Sequence, residues 1–350
     1  MLSQIDRLSY TARQAARVAW YMGHYFAAQP YREKVPEGDV RRERPRSKPP
    51  GRDAIFRAMG ELFERDLKNV EAGFYPVPRD DDGNGSLREL VRRSRKFFAD
   101  IPVSAERKSQ RRGAEVYSPE LAEKLPAYFL QNFHYQTGGY LTEESAELYD
   151  MQVEVLFSGT ANAMRRQCLV PIAEWMRGKD QRKVSVADVA CGTGRFLKFL
   201  KQTWPRVRAT GTDLSESYLA EARRHLNPYT DVELLPANAE ALPFPDASLD
   251  VVVSIYLFHE VPPKVRRIIA GEFARVLKPG GRLVFMDSLQ RGDTPDFDAL
   301  LEGFPLNFHE PFYPSYVGEN LPAMFEVAGL RTVRTEPVFL SKLVVADKPL

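Results

Sequence analysis

The chain has 350 residues and only two cysteines, Cys168 and Cys191, with no Cys-x-x-Cys pair and no Cys/His cluster. That scarcity argues against a disulfide framework and a thiolate zinc site, and it makes a reducing, cytoplasmic compartment the expectation. No metal ligand set is visible in the spacing of the five histidines. No run of about 18 apolar residues occurs, so no membrane-spanning helix is expected. The first thirty residues lack the charged, apolar and small-residue order of a secretory signal. There is no internal repeat. Excess charge is also lacking: 49 basic against 47 acidic residues leave a net +2. With 43% hydrophobic residues, the composition is that of a globular protein of one large or several smaller domains.

What charge imbalance exists is local. Residues 41–52 carry Arg41, Arg42, Arg44, Arg46, Lys48 and Arg52 among prolines. Such a block could meet phosphates or an anionic membrane surface. The plainer expectation is a solvated loop.

The chain divides at residues 150/151. The first part, 1–150, reads as a mainly helical cap. Residues 8–28 have a helical period, with Arg7, Arg13 and Arg17 assigned to the wet side and Val18, Trp20, Tyr21, Tyr25 and Phe26 to the apolar side. Further helices are expected at 54–73, at 87–98 after a Ser86 cap, from Thr142 to about 157, and at 160–175. Residues 80–85 form a loop. From residue 151 onward the pattern becomes alternating strand and helix. Strands are expected at 184–190, 208–213, 232–236, 249–255, 281–287, 330–335 and 340–347. Continuous apolar runs such as Val251-Val252-Val253 suit strands covered on both faces. The expected fold is therefore α/β: a Rossmann-like, seven-stranded, mostly parallel sheet with an antiparallel last strand, plus the N-terminal helical cap.

Two short runs carry the chemistry. In Val186-Ala187-Asp188-Val189-Ala190-Cys191-Gly192-Thr193-Gly194, a buried strand enters a turn of small residues and then a helix. Nineteen positions beyond Gly194, Asp213 ends the second strand. A small-residue turn after one strand and an acid after the next form a nucleoside-binding corner. The third glycine of a dinucleotide fingerprint is missing, since Phe196 and Leu197 occupy the helix start.

With the blocks that follow, the second part resembles the class I S-adenosylmethionine-dependent methyltransferases, within the group that includes the quinone-biosynthesis C-methyltransferases. The matching residues run from Asp188 to Gly194, then Gly211-Thr212-Asp213-Leu214-Ser215, then residues 237–246. Leu249-Asp250-Val251-Val252 leads to Phe258-His259-Glu260-Val261, and residues 275–281 close the set. The resemblance implies S-adenosyl-L-methionine as cofactor. It places Asp188, Ala190, Gly192 and Gly194 along the methionine part, Asp213 on the ribose, Leu214 on the adenine face and Asn238 with Ala239 at the adenine edge. Ser254 and Tyr256 come beside the cofactor tail. Asn238 stands where the family commonly has Asp, so a charge is lost there while acceptor capacity is kept.

Methyl transfer needs the nucleophile, methyl and sulfur held in line, and a base only where the nucleophile must lose a proton. His259, at the end of the fourth strand, and His309 with Tyr313 in the dense run Phe308-His309-Glu310-Pro311-Phe312-Tyr313 are the catalytic candidates. Anchoring the loop before Pro262-Pro263 is the alternative for His259, and lid packing is the alternative for the His309 segment. Tyr140, Tyr149 and Tyr316 are the substrate candidates, against a role in packing the cap. The expected function is methyl transfer from S-adenosylmethionine to a small or medium, apolar or ring-containing acceptor. Carbon or oxygen is favoured over nitrogen, because Ser254-Ile255-Tyr256-Leu257 stands where an Asn-Pro-Pro-Tyr type motif would serve amino groups. The alternatives are a nucleic-acid or protein methyltransferase docking through residues 41–52, and a non-catalytic S-adenosylmethionine-binding regulator. A small molecule rather than nucleic acid is the expected partner. The N-terminal helix leaves dimerisation, peripheral membrane contact and cover of the active site open.

Overall fold

The structure is a computed structural model and describes residues 3–33, 45–79 and 86–350. Arg41, Arg42 and Arg44 of the basic block, and the loop expected at 80–85, lie outside the described residues.

The sheet explains the rest of the molecule. β1 (Ser185–Val189), β2 (Arg208–Asp213), β3 (Val232–Pro236), β4 (Leu249–Ile255), β5 (Leu277–Ser288), β6 (Arg331–Val338) and β7 (Ser341–Asp347) align in the order β3-β2-β1-β4-β5-β7-β6. The pairs from β3 to β5 are parallel, and β7 runs antiparallel to both β5 and β6. Side chains on a strand alternate between faces. Val251 and Val253 of β4 accordingly enter one apolar cluster with Val186 and Leu343, while Val252 enters the other with Val189 and Phe285. Both faces are therefore buried, as parallel strands require. The strand order reverses between β1 and β4, which opens a crevice at their carboxyl ends.

The helices of the second part match the expected pattern closely. They are α8 (Arg195–Thr203), α9 (Glu216–Leu226), α10 (Pro263–Val276) and α13 (Leu321–Val327). Before the sheet come α1 (Gln4–Glu33), α2 (Arg52–Glu71), α3 (Leu87–Ser109), the short α4 (Pro119–Ala122), α5 (Glu143–Leu156), α6 (Ala161–Arg166) and α7 (Leu169–Met176). The lid between β5 and α13 holds α11 (Asp298–Asn307) and α12 (Tyr313–Tyr316). α1, α3 and α5 share a core of Tyr21, Phe97, Ile101, Leu148 and Met151. Leu62 and Val70 of α2 belong to the same cluster as Val186 of the sheet. The division drawn at 150/151 falls inside α5.

Several local expectations need correction. Arg17 is buried, not wet: its guanidinium meets Glu154 at 2.7 Å and the Gly159 carbonyl at 3.0 Å. Phe26 is 58% exposed instead of packed. The buried stripe of α1 runs Tyr10, Gln14, Arg17, Tyr21, His24, Ala28, a helical spacing that includes three polar residues, of which Arg17 meets Glu154 and His24 meets Ser94 on other elements. α3 continues past residue 98 because Pro102 lies on the exposed side, where the carbonyl left without a donor faces water. The helix expected at 160–175 breaks into α6 and α7, since Pro171 has no N–H for the carbonyl of Gln167. In the described end of the basic block, the backbone N–H groups of Arg46 and Ser47 donate to Glu302 on α11 at 2.6 and 2.9 Å, so this end is docked on the lid.

Candidate functional site

At the carboxyl ends of β1 and β4, where open α/β sheets bind their ligands, lies a cavity. One wall comes from the sheet and is the nucleoside corner. Asp213, at the end of β2, accepts backbone N–H bonds from Gly192 and Ser215, both at 2.8 Å. Burial raises its pKa to about 6, with those N–H bonds opposing the rise. The carboxylate is thus fixed in place, with lone pairs left for the two hydroxyls of a ribose. Ala190 and Gly192 line the turn, and Leu214, Ala237, Asn238 and Ala239 line the adjoining wall. The Asn238 side-chain oxygen already accepts the Glu240 N–H at 2.9 Å, which holds the amide at the rim. Ala190 and Tyr256 both adopt left-handed backbone, φ 59° and 64°, at the ends of the two central strands. Such strain persists where surrounding structure imposes it, and it is common at functional sites.

The opposite wall comes from the cap. Tyr128, Phe129, Phe133, Tyr140 and Tyr149 face the cavity, with Tyr218 of α9 beside them. These rings meet at edges and offset stacks: Phe133 on Tyr140 at 5.5 Å, Tyr140 against Tyr218 at 5.4 Å, Tyr149 against Tyr218 at 5.2 Å. Two acids line the cavity, Asp213 and Glu260. Glu260 receives the Tyr140 hydroxyl and stands 3.7 Å from His259 Nε2 and 3.8 Å from His134 Nε2.

The expected site residues divide into those the cavity gathers and those it does not. Ala190, Gly192, Asp213, Leu214, Asn238, Ala239, Tyr256, Tyr140 and Tyr149 line it. Asp188, Gly194 and Ser254 do not. Asp188 and Ser254 are buried within the sheet, behind the turn. Gly194 faces α9: a Cβ there would come within 3.0 Å of Leu226 and 3.1 Å of Ala222, so its smallness serves helix packing. His259 is not on the lining either. Its Nδ1 is held by the Asp287 carboxylate, and it reaches the cavity only through Glu260.

His309 and Tyr313 lie elsewhere. The His309 ring sits in the seam between lid and cap, with Nε2 on the Gln131 side-chain oxygen at 2.8 Å and Tyr135 alongside. A Cβ on Gly113 would fall within 2.5 Å of that ring, so the ring packs directly against the Gly113 backbone. The Tyr313 hydroxyl pairs with Ser288 Oγ at 2.8 Å, and the Tyr316 hydroxyl donates to the Ser288 carbonyl at 2.6 Å. Both rings are buried behind His259, at 6.1 and 6.2 Å, and pack it in place. The density of aromatic and ionisable residues in the lid reflects this packing.

Sequence reasoning overlooked Glu260 as a wall residue, and it assigned no role to His134. Glu260 could have been found as the residue that follows His259 at the strand end. His134 carried no signal, since its approach depends on a left-handed turn, φ 55°, in the cap. Burial pulls the pKa of His134 down, but Glu310 and Glu260 outweigh this and raise it. The same opposition acts at His259, where Asp287 and then Glu260 win over burial. Burial pushes Glu310 well above the usual carboxylate range, against the pull of His134.

An open α/β sheet with a buried acid held by backbone N–H groups at its switch point, and no dinucleotide glycine set, is the frame of a nucleoside-cofactor domain. A family model described as a methyltransferase domain matches residues 186–281, from β1 into β5. The chain is 32% identical over 172 residues to the demethylmenaquinone methyltransferase of Thermotoga maritima, covering 49% of this chain and 70% of that protein. It is 33% identical over 121 residues to the fatty-acid O-methyltransferase of Mycolicibacterium smegmatis, covering 35% of this chain and 43% of that relative, less than half its length. A SAM-dependent methyltransferase structure from Aquifex aeolicus, 23% identical, covers 51% of this chain and 87% of its own with a TM-score of 0.39. The chain belongs to the class I S-adenosylmethionine-dependent methyltransferases, and S-adenosylmethionine is its cofactor.

Proposed function

We propose that this protein transfers the methyl group of S-adenosylmethionine to the carbon or oxygen of a small, apolar or ring-containing acceptor held under the helical cap. One observation carries the proposal: the ribose-holding Asp213 and an almost wholly aromatic wall line the same cavity. When bound, the cofactor supplies a methyl on positively charged sulfur, which needs no further activation of the leaving group.

The chain's part is placement. Asp213 and the turn Ala190–Gly192 hold the nucleoside and its tail. The rings of Phe129, Phe133 and Tyr149 exclude water and offer flat apolar surface to the acceptor. Glu260 supplies the single acid on the acceptor side, and the acceptor's polar group is directed toward it. Holding the reactants in line replaces the entropy of a chance encounter, which is worth several orders of magnitude in rate. The two curated relatives named above are described as acting on a fatty acid and on a demethylated menaquinone, both in keeping with an apolar acceptor.

The test is methyl transfer from labelled cofactor to a panel of phenols, quinols and fatty acids, run beside S-adenosylhomocysteine binding. Label in at least one apolar acceptor, and none in glycine or in RNA, is expected. Tight S-adenosylhomocysteine binding with no labelled acceptor anywhere in the panel or in cell extract would replace this proposal with a non-catalytic binding role.

A further inference from the structure

His134, His259 and Glu260 each offer one ligand atom, and these atoms lie within 4.8 Å of one another. We propose that they form a 2-His-1-carboxylate site for a divalent transition-metal ion at the acceptor end of the cavity.

Three features of the geometry carry this. The separations of Glu260 Oε1 from the two Nε2 atoms, 3.7 and 3.8 Å, are too long for hydrogen bonds. Neighbouring ligand atoms bound at about 2.1 Å to one tetrahedral or octahedral ion lie ~3.0–3.4 Å apart, so Glu260 and the imidazoles need draw in only slightly to share an ion. Next, a carboxyl group stands behind each imidazole. His259 Nδ1 meets Asp287, and His134 Nδ1 faces Glu310 at 3.1 Å. Both carboxylates are buried, Asp287 at 0% and Glu310 at 4% exposure. At His259 the Asp287 carboxylate on Nδ1 fixes the tautomer in which Nε2 is the free lone pair, the arrangement that orients and strengthens metal-binding histidines. Last, Asp287, Glu260 and Glu310 meet the two imidazoles in one cluster, a set of oxygen and nitrogen donors that a dication would draw together.

The ligands come from two segments, the 3-10 turn of the cap (Phe133–Tyr135) and the 3-10 turn after β4 (Phe258–Glu260), and the supporting acids from two more, β5 and the lid. No spacing motif could announce such a set. Two nitrogens and one carboxylate oxygen suit zinc, cobalt, iron(II) or manganese better than magnesium or calcium. Glu260 lines the cavity, so the remaining coordination positions open toward the acceptor.

The ion's chemical role rests on the methyl-transfer proposal, whereas its binding does not. An acceptor hydroxyl bound to the ion loses its proton to solvent water. The oxygen then forms the new O–CH3 bond as the S–CH3 bond breaks, and that bond's electron pair stays on sulfur. A Lewis acid here selects oxygen acceptors whose hydroxyl can be ionised in this way.

Chelator-treated, full-length protein titrated with Co2+ and with Zn2+ by calorimetry tests the site, with Co2+ visible absorption as a second readout. One ion per chain and ligand-field bands are expected. His134→Asn and His259→Asn should each weaken binding at least tenfold while S-adenosylhomocysteine still binds, which shows the fold intact. His309→Asn, outside the cluster, should bind the ion as the natural protein does. Absence of ion binding, or equal binding by the His134→Asn/His259→Asn double variant, overturns the site. Ion binding with no methylation of any oxygen acceptor overturns the Lewis-acid role and leaves the metal site standing.

Discussion

Asp213 shows how one side chain is tuned by its surroundings. Burial raises its pKa to about 6, yet holding a ribose diol requires the ionised form. The cofactor's hydroxyls therefore favour the carboxylate and lower its pKa on binding. Affinity for S-adenosylhomocysteine should be flat above about pH 7 and should weaken progressively as pH falls through about 6, by up to tenfold per pH unit. Titration calorimetry across that range checks it, and pH-independent affinity would contradict the raised pKa. Asp213→Asn removes a charged acceptor worth about 1.5–3 kcal/mol, so affinity should fall about 10- to 100-fold at neutral pH. Phe129 makes a different case. It lines the cavity from the cap, away from the nucleoside corner. Phe129→Ala should raise the acceptor KM several-fold while changing S-adenosylhomocysteine affinity little.

At the scale of the element, the sheet depends on small residues where helices press on it. Gly211 lies in β2, between β1 and β3. A Cβ there would come within 2.7 Å of Leu197 on α8, 2.8 Å of Cys191 and 2.8 Å of Leu234 on β3. Gly211→Ala must push α8 and the cofactor turn apart, at about 1–3 kcal/mol. A lowered melting temperature with weakened cofactor binding is the expected pair of effects, because Cys191 sits in that turn. The secondary structure around this strand was legible in the sequence: β2, β3 and β4 appear at the expected residues, and in β4 the continuous apolar run Val251-Val252-Val253 carries the signal. The cap helices were less legible. α1 hides Gln14, Arg17 and His24 on its buried side, and nothing in a single helix reveals the partner that makes a buried arginine acceptable.

The whole molecule is held by buried ion pairs that cross from cap to sheet domain. Asp150 of α5 receives the Arg195 guanidinium at 2.7 Å and the Thr193 hydroxyl at 2.7 Å, both at the start of α8. Burial alone would raise its pKa, but Arg195 and then His225 hold it well below the usual range. A depressed folded-state pKa stabilises the protein above the unfolded value of about 3.9, and that contribution is lost as pH falls below it. Asp150→Asn leaves Arg195 buried without its counter-charge, a loss of about 3–5 kcal/mol. Urea unfolding at pH 7 measures it, and the difference from the natural protein should shrink steadily below about pH 4. An unchanged midpoint at pH 7 would show that the seam does not depend on this pair.

The sequence by itself determined the sheet, its order of strand and helix, and the corner that brings Gly192 to Asp213. Gly192 and Asp213 are linked through adjacent strands whose register is set by local pattern, so their meeting needs no distant information. Tertiary structure alone decided the acceptor side. The aromatic wall, the retreat of His309 into the lid seam and the gathering of His134, His259 and Glu260 all depend on how the cap docks on the sheet. Docking joins residues more than a hundred positions apart, and it is governed by side-chain fit and buried charge, neither of which leaves a period in the chain.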